Sequence, residues 1–184
     1  MELILTSDEM MDQWRLRRGV EPLRADSSVT RTYGYDFDAL LRAELDNWYA
    51  RLLDTAPRQL LAPENVASEG SLTPTGTHSH GAQLTLPVHV RRVLTVRLEG
   101  WNVPSAPIAL ADSATMLRRQ ANPFTAATTA CPLVIDIGSS FMLFPASADS
   151  VIASIEAVTD RSPDEYRLDS RALELITPDT QMLI

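Results

Sequence analysis

Three histidines are the first residues of this chain that could hold a metal or move a proton. His78 and His80 flank Ser79, and His89 lies further along. Side chains two apart on a strand point to one side, so the first pair could share an ion. The pair sits, however, in ASEGSLTPTGTHSHG (67–81), a small, polar, breaker-rich stretch that reads as a loop or hairpin tip. No carboxylate stands at helical spacing from it, and there is no HExxH. Solvated histidines are therefore expected, with no bound metal and no cofactor. A metal-dependent enzyme using His78 and His80 is kept as a second alternative. Gly138-Ser139-Ser140 lacks the GxSxG context of a nucleophile elbow, and a tight turn explains it. Asp160, Asp164, Glu165 and Asp169 lie beside Arg161 and Arg167 in residues 159–170, which read as an acidic, solvated connection. With no phosphate loop, dinucleotide fingerprint or CxxC pair, the expectation is a protein that is not an enzyme.

What remains for function is surface. All sixteen positive charges are Arg, against 24 acids, for a net charge of −8. That balance argues against a general nucleic-acid binder. Arg, with its planar fork of donors, suits interfaces better than Lys; a biased genome would produce the same absence of Lys. Arg91, Arg97 and Arg92 belong to one long alternating segment, and Arg118 and Arg119 to the segment after it. Arg92 falls on the apolar parity, where burial without a partner would cost several kcal/mol. It marks either a bulge or a pair with an acid of a neighbouring subunit. These five arginines, with Trp48, Tyr49 and Trp101, are the candidate interface residues. For Trp48 and Tyr49, core packing competes with an interface role.

The elements that must position them follow from periodicity. Leu84, Leu86, Val88, Val90, Leu94, Val96 and Leu98 alternate with polar residues over 84–99, predicting one half-buried strand. The clearest helix spans 36–53. Asp36 is its candidate N-cap and Pro57 its stop, and Phe37, Leu40, Leu41, Leu45, Trp48, Tyr49, Leu52 and Leu53 lie on one stripe. Met10, Met11, Trp14 and Leu16 suggest a short helix closed by Gly19, and 20–34 an exposed connection. Residues 109–120 are ambiguous between helix and extended chain. Segments 132–137 and 140–145 form a hairpin about Gly138-Ser139, and 151–157 alternates again as a strand. Residues 171–177 are a last short element.

The chain has 184 residues, 45% hydrophobic, long enough to bury a core without disulfide or metal. Lone Cys131 precedes an apolar run and reads as a small core filler, which permits a reducing compartment. No stretch approaches the ~20 apolar residues of a membrane span. The first residues, MELILTSDEMM, carry acid where a signal peptide needs base and a longer apolar run. The whole predicts an α+β fold, mainly an antiparallel β-sheet or sandwich with one prominent N-terminal amphipathic helix at about 36–54. One domain covers 1–184, as an arm (1–34), a helical part (36–66), a β part (82–158) and a C-terminal tail (159–184).

The order of WYARLLDTAP, LPVHVRRVLTVRLEGW, RRQANPF, CPLVIDI and FMLFP resembles a family. It is similar, over roughly 36–158, to head-to-tail adaptor (neck) proteins of tailed bacteriophages, notably tubular tail proteins of short-tailed phages and ring proteins of Bacteroides-type phages. The resemblance implies a structural virion protein, assembled in the host cytoplasm as a homo-oligomeric ring, dodecameric in such adaptors. It implies portal and tail proteins as partners, no membrane, and DNA passing through without specific binding. By the same analogy the helix packs and the strand arginines make ring contacts. Adaptors of this kind commonly carry helices after the last strand, whereas little follows Val158 here. Portal docking would then rest on the helix 36–53 and the chain ends. The first alternative is a β-sandwich binding module for a ligand or a cell-surface partner.

Overall fold

A computed structural model describes residues 1–20, 37–75, 80–160 and 164–177. In chain order it begins with strand β1 (Glu2–Thr6), helix α1 (Ser7–Arg18) and helix α2 (Phe37–Thr55). Strands β2 (Glu64–Asn65), β3 (Ser71–Pro74), β4 (Ala82–Thr85), β5 (Val90–Leu98) and β6 (Pro107–Ile108) follow. Helix α3 (Leu110–Gln120) precedes β7 (Leu133–Asp136), β8 (Phe141–Phe144), β9 (Ile152–Thr159) and β10 (Glu165–Asp169). This is an α+β fold rich in antiparallel sheet. Within the one domain drawn from sequence, the chain divides into two compact units: Met1–Ala62 with Ser162–Ile184, and Pro63–Arg161.

In the first unit, α1 starts where a capping box dictates. The Thr6 side chain accepts from the Glu9 backbone N–H, and the Glu9 carboxylate accepts from the N–H of Thr6 at 2.9 Å. Gly19, at φ 68°, closes the helix in the left-handed region that a side chain would disfavour. Met10, Met11 and Trp14 are buried, while Leu16 is exposed. Helix α2 keeps its expected place, and Leu41, Leu45, Tyr49, Leu52 and Leu53 form its buried stripe, whereas Leu40, expected on that stripe, is exposed at its margin. Its candidate cap Asp36 and most of the 20–34 connection lie outside the described residues. The tail departs from expectation: the acidic connection drawn over 159–170 contains β10, paired antiparallel with β1. Tyr166 and Leu168 are buried and Glu165 exposed, an alternation obscured by its flanking charges. A 3-10 segment (Ser170–Leu175) supplies the expected last element.

The second unit holds two sheets, of strand order β2-β9-β5 and β3-β4-β8-β7-β6. Leu84, Val96, Leu98, Trp101, Val134, Leu143 and Ile155 belong to one core cluster that draws on both sheets. On the other face of the larger sheet, Ile135, Met142 and Phe144 pack with Met116 and Leu117 of α3. Strands β7 and β8 are thus covered on both faces, which is why CPLVIDI and FMLFP read as unbroken apolar runs. Their hairpin turns about Gly138 (φ 93°), with Asp136 opposite Phe141. The ambiguous 109–120 segment is helix.

The single strand expected over 84–99 is two. Pro87 has no N–H for a ladder, and the Val90 N–H bonds to the Pro87 carbonyl at 3.1 Å, closing a turn. The chain thereby passes from β4 in one sheet to β5 in the other. Val88, on the expected inner parity, is wholly exposed at that turn.

Candidate interface

Strand β5 carries three of the candidate arginines, and its pairing with β9 slips between Val90 and Arg92 and again between Val93 and Thr95. Two bulges so close together flip the side-chain parity twice. That accounts for Arg92 on the apolar parity and for Val93 and Leu94 being buried in succession. Arg91 and Arg97 are exposed and Arg92 half-buried. The Arg91 guanidinium lies 3.5 Å from the Asp160 carboxylate, and Arg97 Nε donates to the Trp101 carbonyl at 3.4 Å. Beside them His89 Nε2 lies 2.8 Å from Glu69 Oε2. Strand β5 stands at the edge of its sheet, and Ser105 bridges to it at Val96 through two 2.9 Å backbone bonds. Bulges, charge and this bridge are the devices by which an edge strand avoids indiscriminate pairing.

Arg118 and Arg119 end α3 and are exposed, and the chain after them is tightly tied. Asn122 Oδ1 accepts from the Phe124 N–H at 3.0 Å, Thr125 Oγ1 donates to the Arg119 carbonyl at 2.9 Å, and Gln120 Oε1 accepts from the Ala127 N–H at 2.8 Å. This loop holds Phe124 out at 96% exposure. The Asn-Pro pair in RRQANPF signals a turn but not the exposure of the ring that follows it.

The aromatic candidates are placed otherwise. Trp101 is buried in the core cluster of the second unit, its Nε1 donating to the Pro145 carbonyl at 2.9 Å. Tyr49 is buried in the first unit; its hydroxyl accepts from the Arg167 N–H at 2.9 Å and donates to the Arg167 carbonyl at 3.1 Å. Both rings are spent on internal packing. Trp48 is half-buried against Trp14, ring centroids 5.6 Å apart. Arg18 stacks on Trp14 at 5.4 Å and pairs with Glu44, a contact that fastens α1 to α2.

Those helices also frame a cleft of about 500 Å³. Asp8, Met11, Asp12 and Arg15 line it from one face of α1, at the three- and four-residue spacing that aligns side chains. Asp38, Ala39 and Arg42 line it from α2. Two ion pairs cross it, Arg15 to Asp38 at 3.0 Å and Arg42 to Asp8 at 3.6 Å.

His78 lies outside the described residues, and His80 is exposed at a turn. Among the described residues no three His, Cys, Asp or Glu side chains converge as a metal site. Cys131, expected as a core filler, is exposed, because the Thr128–Cys131 turn holds it outside the sheet that begins at Leu133. No helix among the described residues is long and apolar enough to cross a membrane. The chain matches no protein-family model, and no curated protein is similar to it.

Proposed function

We propose that this chain is a structural subunit that works by assembly, as an oligomeric ring in a phage neck joining portal to tail. The observation that carries the reading is a pair of large apolar side chains held out on hydrogen-bonded turns of the second unit, Val88 and Phe124. Burying such a side chain against a partner is worth about 1.5–3 kcal/mol, whereas an exposed ion pair is worth about 0–1 kcal/mol. The apolar anchors therefore supply the affinity, and Arg91, Arg97, Arg118 and Arg119 set register and partner choice. The net charge of −8 suits a ring through which DNA slides without sticking.

Arg97→Glu tests the arginine face. The variant should keep the far-ultraviolet circular dichroism of the wild type and lose assembly, read by size-exclusion chromatography with light scattering. Full assembly by this variant would remove the β5 face from the interface.

A further inference from the structure

One side-chain contact in the second unit joins two passages of the chain between its sheets. Residues 66–70 lead from β2 to β3 and residues 86–89 from β4 to β5, each time leaving one sheet for the other. They touch where Glu69 ends a 3-10 turn (Ala67–Glu69) and His89 Nε2 comes within 2.8 Å of its Oε2. Both side chains are half-buried. His89 Nε2 itself is sheltered from solvent and has no hydrogen-bond partner among the described residues, so it meets the carboxylate off the hydrogen-bonding axis. A contact without that geometry draws its strength from charge. It attracts while the imidazole is protonated and is lost when the ring is neutral.

Imidazole is the side chain whose charge ordinarily changes between about pH 5 and 8, where carboxylates and guanidinium groups keep theirs. The other charged groups at this turn are Asp160, whose N–H donates to the His89 carbonyl at 2.8 Å, and Arg91, 3.5 Å from the Asp160 carboxylate. Val88 precedes His89 and is wholly exposed on the same turn. We propose that His89 and Glu69 form an acid-closed latch on the turn that displays Val88. Protonation of His89 fastens the turn to the Ala67–Glu69 passage, and loss of the proton frees it. The consequence rests on the reading of Val88 as an assembly anchor: an anchor already ordered binds at lower entropic cost, so assembly is favoured on the acid side of neutrality.

Hydrogen exchange over Val88–Arg91 tests the latch in the full chain, diluted to a single subunit and corrected for the intrinsic effect of pH. Wild-type protection should be about two- to fivefold greater at about pH 5.5 than at about pH 8. Glu69→Gln removes the charge and keeps the shape, and should abolish that difference. His89→Lys keeps its charge at both pH values, and should stay protected at both. Equal wild-type protection at the two pH values would overturn the latch, as would a difference undiminished in Glu69→Gln. Light scattering of the same proteins at higher concentration tests the consequence. The wild type should assemble more fully at the lower pH, and His89→Lys equally at both. A latch seen by exchange, with assembly indifferent to it, would overturn Val88 as an anchor and leave the latch standing.

Discussion

Tyr166 donates its phenol to Asp46 Oδ1 at 2.5 Å and meets Tyr49 edge-on, ring centroids 4.8 Å apart. Burial, and then the bond to the Asp46 carboxylate, push this phenol well above the ordinary tyrosine range. A group whose pKa is raised on folding contributes stability that is complete below its unfolded pKa, about 10 for tyrosine, and fades as pH rises through the folded value. In a spectrophotometric titration of the four tyrosines, one phenol should therefore ionise last, and Tyr166→Phe should abolish that phase. A Tyr166→Phe protein with the same late phase would contradict the assignment. The residue scale also shows what sequence could carry. Trp101 stood as a candidate contact, and for Tyr49 core packing competed with a contact role. Only tertiary partners decided, since the Arg167 backbone and the Pro145 carbonyl come from distant parts of the chain. Phe124 was overlooked for the converse reason, because exposure of an aromatic ring is a property of the fold and leaves no mark in its own segment.

At the scale of elements, patterns complete within a few residues were legible. The stripe of α2, the glycine stop of α1, and the Gly138 hairpin each needed only local periodicity and turn chemistry. Strand β10 was not, because EYRLD is short and charged and acquires strand character only by pairing with β1 from the far end of the sequence. The two-bulge strand β5 imitated a regular one, since seven apolar residues of one parity outweighed Arg92 and Pro87 in the count. Gly81, just before β4, tests how close-fitting that second unit is. A Cβ there would lie 2.5 Å from Phe144 Cε1, and that ring is itself buried in the cluster under α3. Gly81→Ala should cost about 1–3 kcal/mol by overpacking, seen as a lowered midpoint in urea with an unchanged slope. An unchanged midpoint would show that the ring yields freely.

At the scale of the whole molecule, the proposed function is a matter of surfaces that meet other copies. On the proposed ring reading, few residues would supply the affinity, and the bulged, charged edge of β5 would limit pairing to a chosen register. The fold class was readable from alternation and one amphipathic helix, but the α1–α2 cleft was not, since it exists only once the two helices are docked. The measurement that bears most directly on the central claim is the native mass of the purified full chain across micromolar concentrations, with negative-stain images of the largest species. The account predicts a discrete species of many subunits, seen as closed rings, formed alone or on adding a portal protein. A constant single-subunit mass under every condition, as a β-sandwich binding module would give, would contradict it.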